Sequence, residues 1–183
     1  TKKTTISVKG TKEGCSTTKT WEIDTFNLPN ILINNGDEYA ITCSNNSVTL
    51  EASNGVSYKW DNKPGESDNT YSVRPTVDGE VHTLWGKDRN GCVNTDDIKV
   101  NIQYRPNFRI TGNNRVCNGS NVVLKVTPND PNSNYKYRWT DKFGERIGKG
   151  AGTNKHAIRI TSDTTVYVTA TDQTGLPCDT TIA

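Results

Sequence analysis

The sequence predicts an all-β chain made of antiparallel β-sandwiches in tandem, and three observations carry that prediction. The first is an internal repeat. A stretch that opens "VCNGSNVVLKV" at Val116, passes "YKYRW" (Tyr135 to Trp139) and closes "TTVYVTATDQTGLPC" at Cys178 has an earlier counterpart. The counterpart opens "ITCSNNSVTLEA" at Ile41, passes "SYKW" (Ser57 to Trp60) and closes "VHTLWGKDRNGC" at Cys92. A third closing segment, "TTISVKGTKEGC", runs from Thr4 to Cys15 with no opening half before it. The links match as well: "LPNILI" from Leu28 lines up with "RPNFRI" from Arg105. Self-similarity at a fixed period marks one folding unit per copy. The second observation is apolar alternation with a period of two in short runs, and the third is a turn signal every 8 to 12 residues. No stretch keeps a helical period.

Taken in order, 1–27 reads as the closing hairpin of an incomplete copy. Ile6 and Val8 alternate with polar residues, "KEG" turns the chain, and "TWEIDTF" returns with Trp21, Ile23 and Thr25 on one face. The hairpin is expected either to pack on the start of the first full module or to be a truncated end. Module one, 28–104, places Val48, Leu50 and Ala52 inward, then Tyr58 and Trp60, with a loop over "DNKPGESDN". Tyr71 and Val73, then His82, Leu84 and Gly86, then Ile98, Val100 and Ile102 complete its strands. Module two, 105–183, repeats the scheme with Val122, Leu124 and Val126; Tyr137 and Trp139; Ile158 and Ile160; and Val166, Val168 and Ala170. Six or seven short strands per module point to the immunoglobulin-like sandwich.

Composition narrows the class. Of 183 residues 31% are hydrophobic, low for a globular chain, but aromatic and β-branched residues are too many for a disordered one. A net charge of +2 implies neither nucleic acid nor a membrane surface as partner. No apolar run approaches a membrane span, and no secretory signal opens the chain. The absence of Met fits an internal piece or the mature form of something longer.

Modules of about 75 to 80 residues bury only some 60 to 65% of their unfolded surface, so staples are expected. Each full module has a cysteine where its first core strand opens and one after its late turn. The repeat of these positions pairs Cys43 with Cys92 and Cys117 with Cys178, leaving Cys15 as an unpaired thiol. No C-x-x-C or histidine cluster favours a metal instead. Disulfides imply an oxidising location. Trp60 and Trp139, each two positions after a Tyr on an alternating strand, are expected in the core. Trp85 falls between the inward Leu84 and Gly86, so it faces outward. There it either offers a contact surface to a neighbouring module, a protein or a sugar ring, or lies over its own sheet.

No enzyme is expected. His82 and His156 lie in strand-like segments of different modules without a nucleophile setting, and there is neither a phosphate loop nor H-E-x-x-H. No cofactor is implied. Asp96, Asp97 and Asp130 could contribute oxygens to calcium, and are equally ordinary turn formers.

The opening "VCNGSNVVLKV", the "YRW", the "TTVYVTATD" and the closing Gly and Cys resemble the immunoglobulin-like, PKD-like repeats of large surface proteins of Bacteroidota, such as SprB-type gliding-motility adhesins exported by the type IX secretion system. The resemblance covers nearly the whole chain. Module one departs from it, since "TCSNNS" lacks the Gly and His82 replaces the usual Tyr. The resemblance implies a non-catalytic spacer or adhesive stalk at the cell surface. Its partners would be neighbouring repeats of the same chain and a surface polysaccharide or protein. The rival expectations are a carbohydrate- or protein-binding accessory module of a secreted enzyme and a surface-layer structural protein. Pro29 and Pro106 stiffen the short links between modules.

Overall fold

The computed structural model describes residues 2–61, 63, 68–147 and 153–183, so the loop expected over "DNKPGESDN" lies mostly outside the described residues. The chain separates into two compact units. The first comprises Thr1–Ala40, Val48–Val73 and Gly79–Val100, and the second Ile41–Ser47, Arg74–Asp78 and Asn101–Ala183. The fold is all-β and antiparallel, with two immunoglobulin-like sandwiches in tandem along the sequence.

Strands β1 (Lys2–Lys12) and β2 (Cys15–Thr25) pair only with each other. The two-residue turn between them puts Glu13 (φ 50°) and Gly14 (φ 84°) in the left-handed region, which suits the twist of a tight hairpin. Ile6 lies opposite Trp21, and Thr4 opposite Ile23, so Ile6, Val8, Trp21 and Ile23 share one face. The expectation that this hairpin packs on the first module is not met: every one of its strand residues is exposed.

In the first sandwich, β3 (Leu32–Ile33), β5 (Val48–Ser53) and β7 (Thr70–Val73) form one sheet. The other runs in the order β4 (Tyr39–Cys43), β9 (Val93–Gln103), β8 (Glu80–Lys87), β6 (Ser57–Trp60). Alternation decides the inward face. On β8, His82, Leu84 and Gly86 are buried while Val81, Thr83 and Trp85 are not. Between the sheets Ile31, Ile33, Leu50, Trp60, Val73, Leu84, Ile98 and Val100 form the core. Fully burying each aliphatic side chain contributes about 1.5–3 kcal/mol. Gly86 is required by the close approach of Ile31, whose Cδ1 would lie 2.5 Å from an added Cβ.

The second sandwich sets β10 (Phe108–Thr111), β11 (Asn121–Pro128) and β13 (Lys155–Arg159) against β12 (Tyr135–Thr140), β14 (Tyr167–Asp172) and β15 (Asp179–Ile182). Its core is Phe108, Val126, Tyr137, Trp139, Val168 and Ala170. The register corrects one alignment. Trp60 pairs with Leu84 and Trp139 with Val168, so His82 corresponds to Val166, and the motif's Tyr167 corresponds to Thr83. The missing Gly of "TCSNNS" is also explained: Asn45 (φ 68°) takes the left-handed position that Gly119 (φ 84°) holds in the second copy. Asn is among the few residues that adopt it readily.

Candidate functional site

The polar chemistry of the second unit gathers around a disulfide. β4 ends at Cys43, whose carbonyl accepts the Asn46 N–H at 2.9 Å and closes a tight turn. The next N–H, of Ser44, donates to the carbonyl of Gln103, the last residue of β9, at 2.9 Å. At the β14–β15 connection the Asp172 N–H donates to the Cys178 carbonyl at 2.8 Å. Cys43 and Cys178 are bonded, with Cα atoms 5.7 Å apart and a sequence separation of 135. Both belong to the second compact unit. Closing so long a loop removes about 5 kcal/mol of unfolded-chain entropy in the simple model.

This bridge replaces both expected ones. Cys92 and Cys117 are free thiols, as is Cys15. Strand length is the reason. Cys92 immediately precedes β9, whereas Cys43 sits beside its far end at Gln103. Eleven strand residues at about 3.3 Å each separate the two by roughly 30 Å or more, and a disulfide needs Cα atoms within about 7 Å. In the second copy, Cys117 lies in the turn before Asn121, the first residue of β11. Cys178 lies by the β14 end that pairs with Tyr135, across the sandwich. In both copies the opening and closing cysteines occupy opposite ends.

Three side chains, Arg105, Gln103 and the Asp172 that ends the "TTVYVTATD" motif, tie the bridge in place. The Arg105 guanidinium donates to the Ser44 carbonyl (3.2 Å), to Asn46 Oδ1 (3.0 Å) and to the Asp179 carbonyl (2.7 Å). Gln103 Nε2 donates to Asp172 Oδ2 at 2.8 Å. Asp172 is buried, which alone would raise its pKa. Hydrogen bonds from the Thr174 hydroxyl and N–H, Gln103 and the Gln173 N–H outweigh that and hold the carboxyl below the ordinary range. The sequence signal for Arg105 is the link itself, where "RPN" stands against the "LPN" of the first copy, with exposed Leu28 in the matching place.

Trp60 and Trp139 are both fully buried, at 1% and 2% exposure. Trp139 Nε1 donates to the Thr153 carbonyl at 3.1 Å; Trp60 Nε1 has no partner among the described residues. Trp60 stacks on Tyr71, which meets His82 edge-on. Buried His82 places Nδ1 2.7 Å from Asp61 Oδ2, and Asp61 Oδ1 accepts the Thr83 N–H at 3.0 Å. Burial alone would raise the Asp61 pKa, but the His82 and Thr83 hydrogen bonds, the His82 charge and Tyr71 hold it below the usual carboxylate value. His156 packs on Trp139, ring centroids 5.4 Å apart, and burial lowers its pKa. Trp85 is half-buried on the face opposite Leu84, between Lys59 and Thr95 of the neighbouring strands.

Among the described residues no three His, Cys, Asp or Glu side chains gather as metal ligands would. Of the acids considered for calcium, Asp96 accepts the Ile33 and Asp97 N–H groups, and Asp130 accepts the Asn132 N–H. An open groove in the second unit has a mixed lining, with Ile110, Leu124 and Ile158 beside polar Asn113, Arg115 and Asp163.

No protein-family profile matches the chain, and no curated protein does. Among solved structures it is similar to the fibronectin(III)-like modules of Clostridium thermocellum CbhA, at 11% identity and a TM-score of 0.40, over 82% of this chain and 90% of that one. It is also similar to the FN1-FN3 domains of chicken CNTN1, at 14% identity and TM-score 0.32, over 88% and 67%. A third match is to the extracellular cadherin domains 1-4 of protocadherin gamma B7, at 13% and TM-score 0.29. The chain spans 56% of that last structure. All three of these TM-scores lie below 0.5.

Proposed function

We propose that the chain is a non-catalytic, load-bearing segment of a large cell-surface adhesin, a disulfide-stapled spacer in an adhesive stalk. The carrying observation is the Cys43–Cys178 bridge, which ties the opening of one sequence copy to the closing turn of the next. A pull on the two ends of the chain then bypasses the residues between the cysteines. The oxidised bond supports an extracellular location, with export by a type IX route as the resemblance implies. Neighbouring repeats are the first partners, and a surface polysaccharide or protein is the adhesive one. The segment needs no cofactor for this work.

The test is mechanical. In single-molecule extension, the oxidised chain should withhold the 135-residue span, and reduction should release it as about 490 Å of added contour length. Beads bearing the oxidised chain should be retained on polysaccharide-coated glass under flow better than reduced ones. An oxidised chain that extends to its full length sinks the load-bearing reading. Tight capture of a soluble oligosaccharide without any effect of reduction would make it an accessory binding module instead.

A further inference from the structure

The bridge and the repeat together define a pairing rule for the cysteines left over. Cys43 is the opening cysteine of its copy, and Cys178 is the closing cysteine of the copy that follows. Carried along the repeat, Cys43 becomes Cys117, and Cys178 becomes Cys92 and then Cys15. Local geometry supports the substitutions at Cys117 and Cys92; at Cys15 the left-handed glycine before the cysteine is the shared feature. The Cys43 carbonyl accepts the N–H three residues on, from Asn46, and the Cys117 carbonyl accepts the N–H three residues on, from Ser120. Each turn has a left-handed third residue, Asn45 in one and Gly119 in the other. At the closing end, the Asp172 N–H donates to the Cys178 carbonyl, and the Asp88 N–H to the Cys92 carbonyl at 2.9 Å. Each closing cysteine follows a left-handed glycine, Gly175, Gly91 or Gly14.

We propose that the three free cysteines are crosslinking sites of one ladder, in which an opening cysteine bonds the closing cysteine of the next copy. Cys117 takes the closing cysteine of a following copy of this repeat. Cys92 takes the opening cysteine of a preceding copy, and Cys15 that of the copy before it. Pairing within a copy is barred, because opening and closing cysteines lie at opposite ends of long strands. Cys117 and Cys15 are exposed and Cys92 is half-buried, so none of the three is enclosed in a core. The bond forms by exchange with a disulfide oxidant such as oxidised glutathione. The oxidant's S–S bond breaks, one S–S bond forms between the two cysteines, and their two protons leave on two glutathione thiols. This inference rests on the bridge and the repeat, and stands whether or not the stalk carries load.

The test uses the full chain and a longer form in which residues 93–178 are inserted a second time after Cys178, both refolded in oxidised glutathione. Alkylation and non-reducing peptide mapping of the longer form should return two bridges, Cys43–Cys178 and Cys117 to the closing cysteine of the inserted segment. Cys15, Cys92 and the inserted opening cysteine should be alkylated. Adding Cys117→Ser should convert the inserted closing cysteine to an alkylated thiol and leave Cys43–Cys178 untouched. A bridge within any one copy, or an inserted closing cysteine that stays free while Cys43–Cys178 forms, overturns the ladder. If the longer form does not fold, the unextended chain decides. There Cys92→Ser should leave the Cys43–Cys178 bridge in place and remove only Cys92 from the alkylated set, and Cys178→Ser should add Cys43 alone to it. Transfer of Cys43 to Cys92 in that variant would overturn the rule.

Discussion

Beneath its third-strand tryptophan the first copy buries a histidine, where the second copy has half-buried Val166. The difference spreads to neighbouring residues. In the first copy Asp61, directly after Trp60 and in the left-handed region at φ 47°, turns both carboxylate oxygens to β8, one to His82 and one to the Thr83 N–H. In the second, Asp141 caps its own turn, accepting the Phe143 and Glu145 N–H groups. One sandwich scaffold thus holds either a paired polar cluster or an aliphatic wall, provided that each buried polar atom finds a partner. Two atoms of the first copy depart from this among the described residues: Trp60 Nε1, and His82 Nε2, which has no hydrogen bond and lies 3.5 Å from Glu80 Oε1.

The comparison breaks most visibly at the tryptophans. Trp60→Ala and Trp139→Ala should each cost about 3–5 kcal/mol in urea unfolding. Phe at the same places separates the copies. Trp139→Phe leaves the Thr153 carbonyl without its donor, a further penalty of about 1 kcal/mol that Trp60→Phe does not incur. If the two Phe variants lose equal stability, the indole hydrogen bond contributes nothing.

A smaller effect belongs to Asp61. Asp61→Asn should destabilise the chain by about 1–3 kcal/mol at neutral pH, since it weakens the pairing of a buried ring. Its folded pKa lies below the unfolded value of about 3.9, so its stabilisation is present above that value and fades as pH falls through the folded one. Asp172 behaves the same way in the second unit. Acid titrations of stability should therefore be flatter below about pH 4 in both Asp61→Asn and Asp172→Asn. An unchanged acid limb in either would remove that carboxylate from the account.

Least affected should be Trp85→Thr, which gives the first copy the residue of the second, Thr169. A half-buried residue on the outer face should change stability by less than about 1 kcal/mol. A loss of several kcal/mol would mean that Trp85 anchors its sheet.

Strand positions and core were legible because alternation and the repeated Tyr-x-Trp report burial directly: Leu84, Ile98, Val100, Val126 and Val168 all turn inward. The bridge was not, because sequence spacing places a cysteine near a strand but does not say which end of the sandwich that strand reaches. Eleven-residue β9 carries the chain away from Cys92 before it arrives beside Cys43. A sign was nonetheless present, in the "TDDIKVNIQ" run that continues past the turn long enough to cross the module. Asp61 was hidden for another reason. A histidine at an inward position demands a polar partner, but the demand does not name the residue, and Asp61 is 21 positions away in sequence.

The bridge also changes what a single cut does to the molecule. The turns at Val77 and at Arg89 to Gly91 are exposed and lie between Cys43 and Cys178, where a protease would find them. A chain severed at either point stays in one piece, because both fragments still hang from the same sulfur–sulfur bond. A chain so built survives a first nick between the two cysteines, and comes apart there only after a second cut or a reductant.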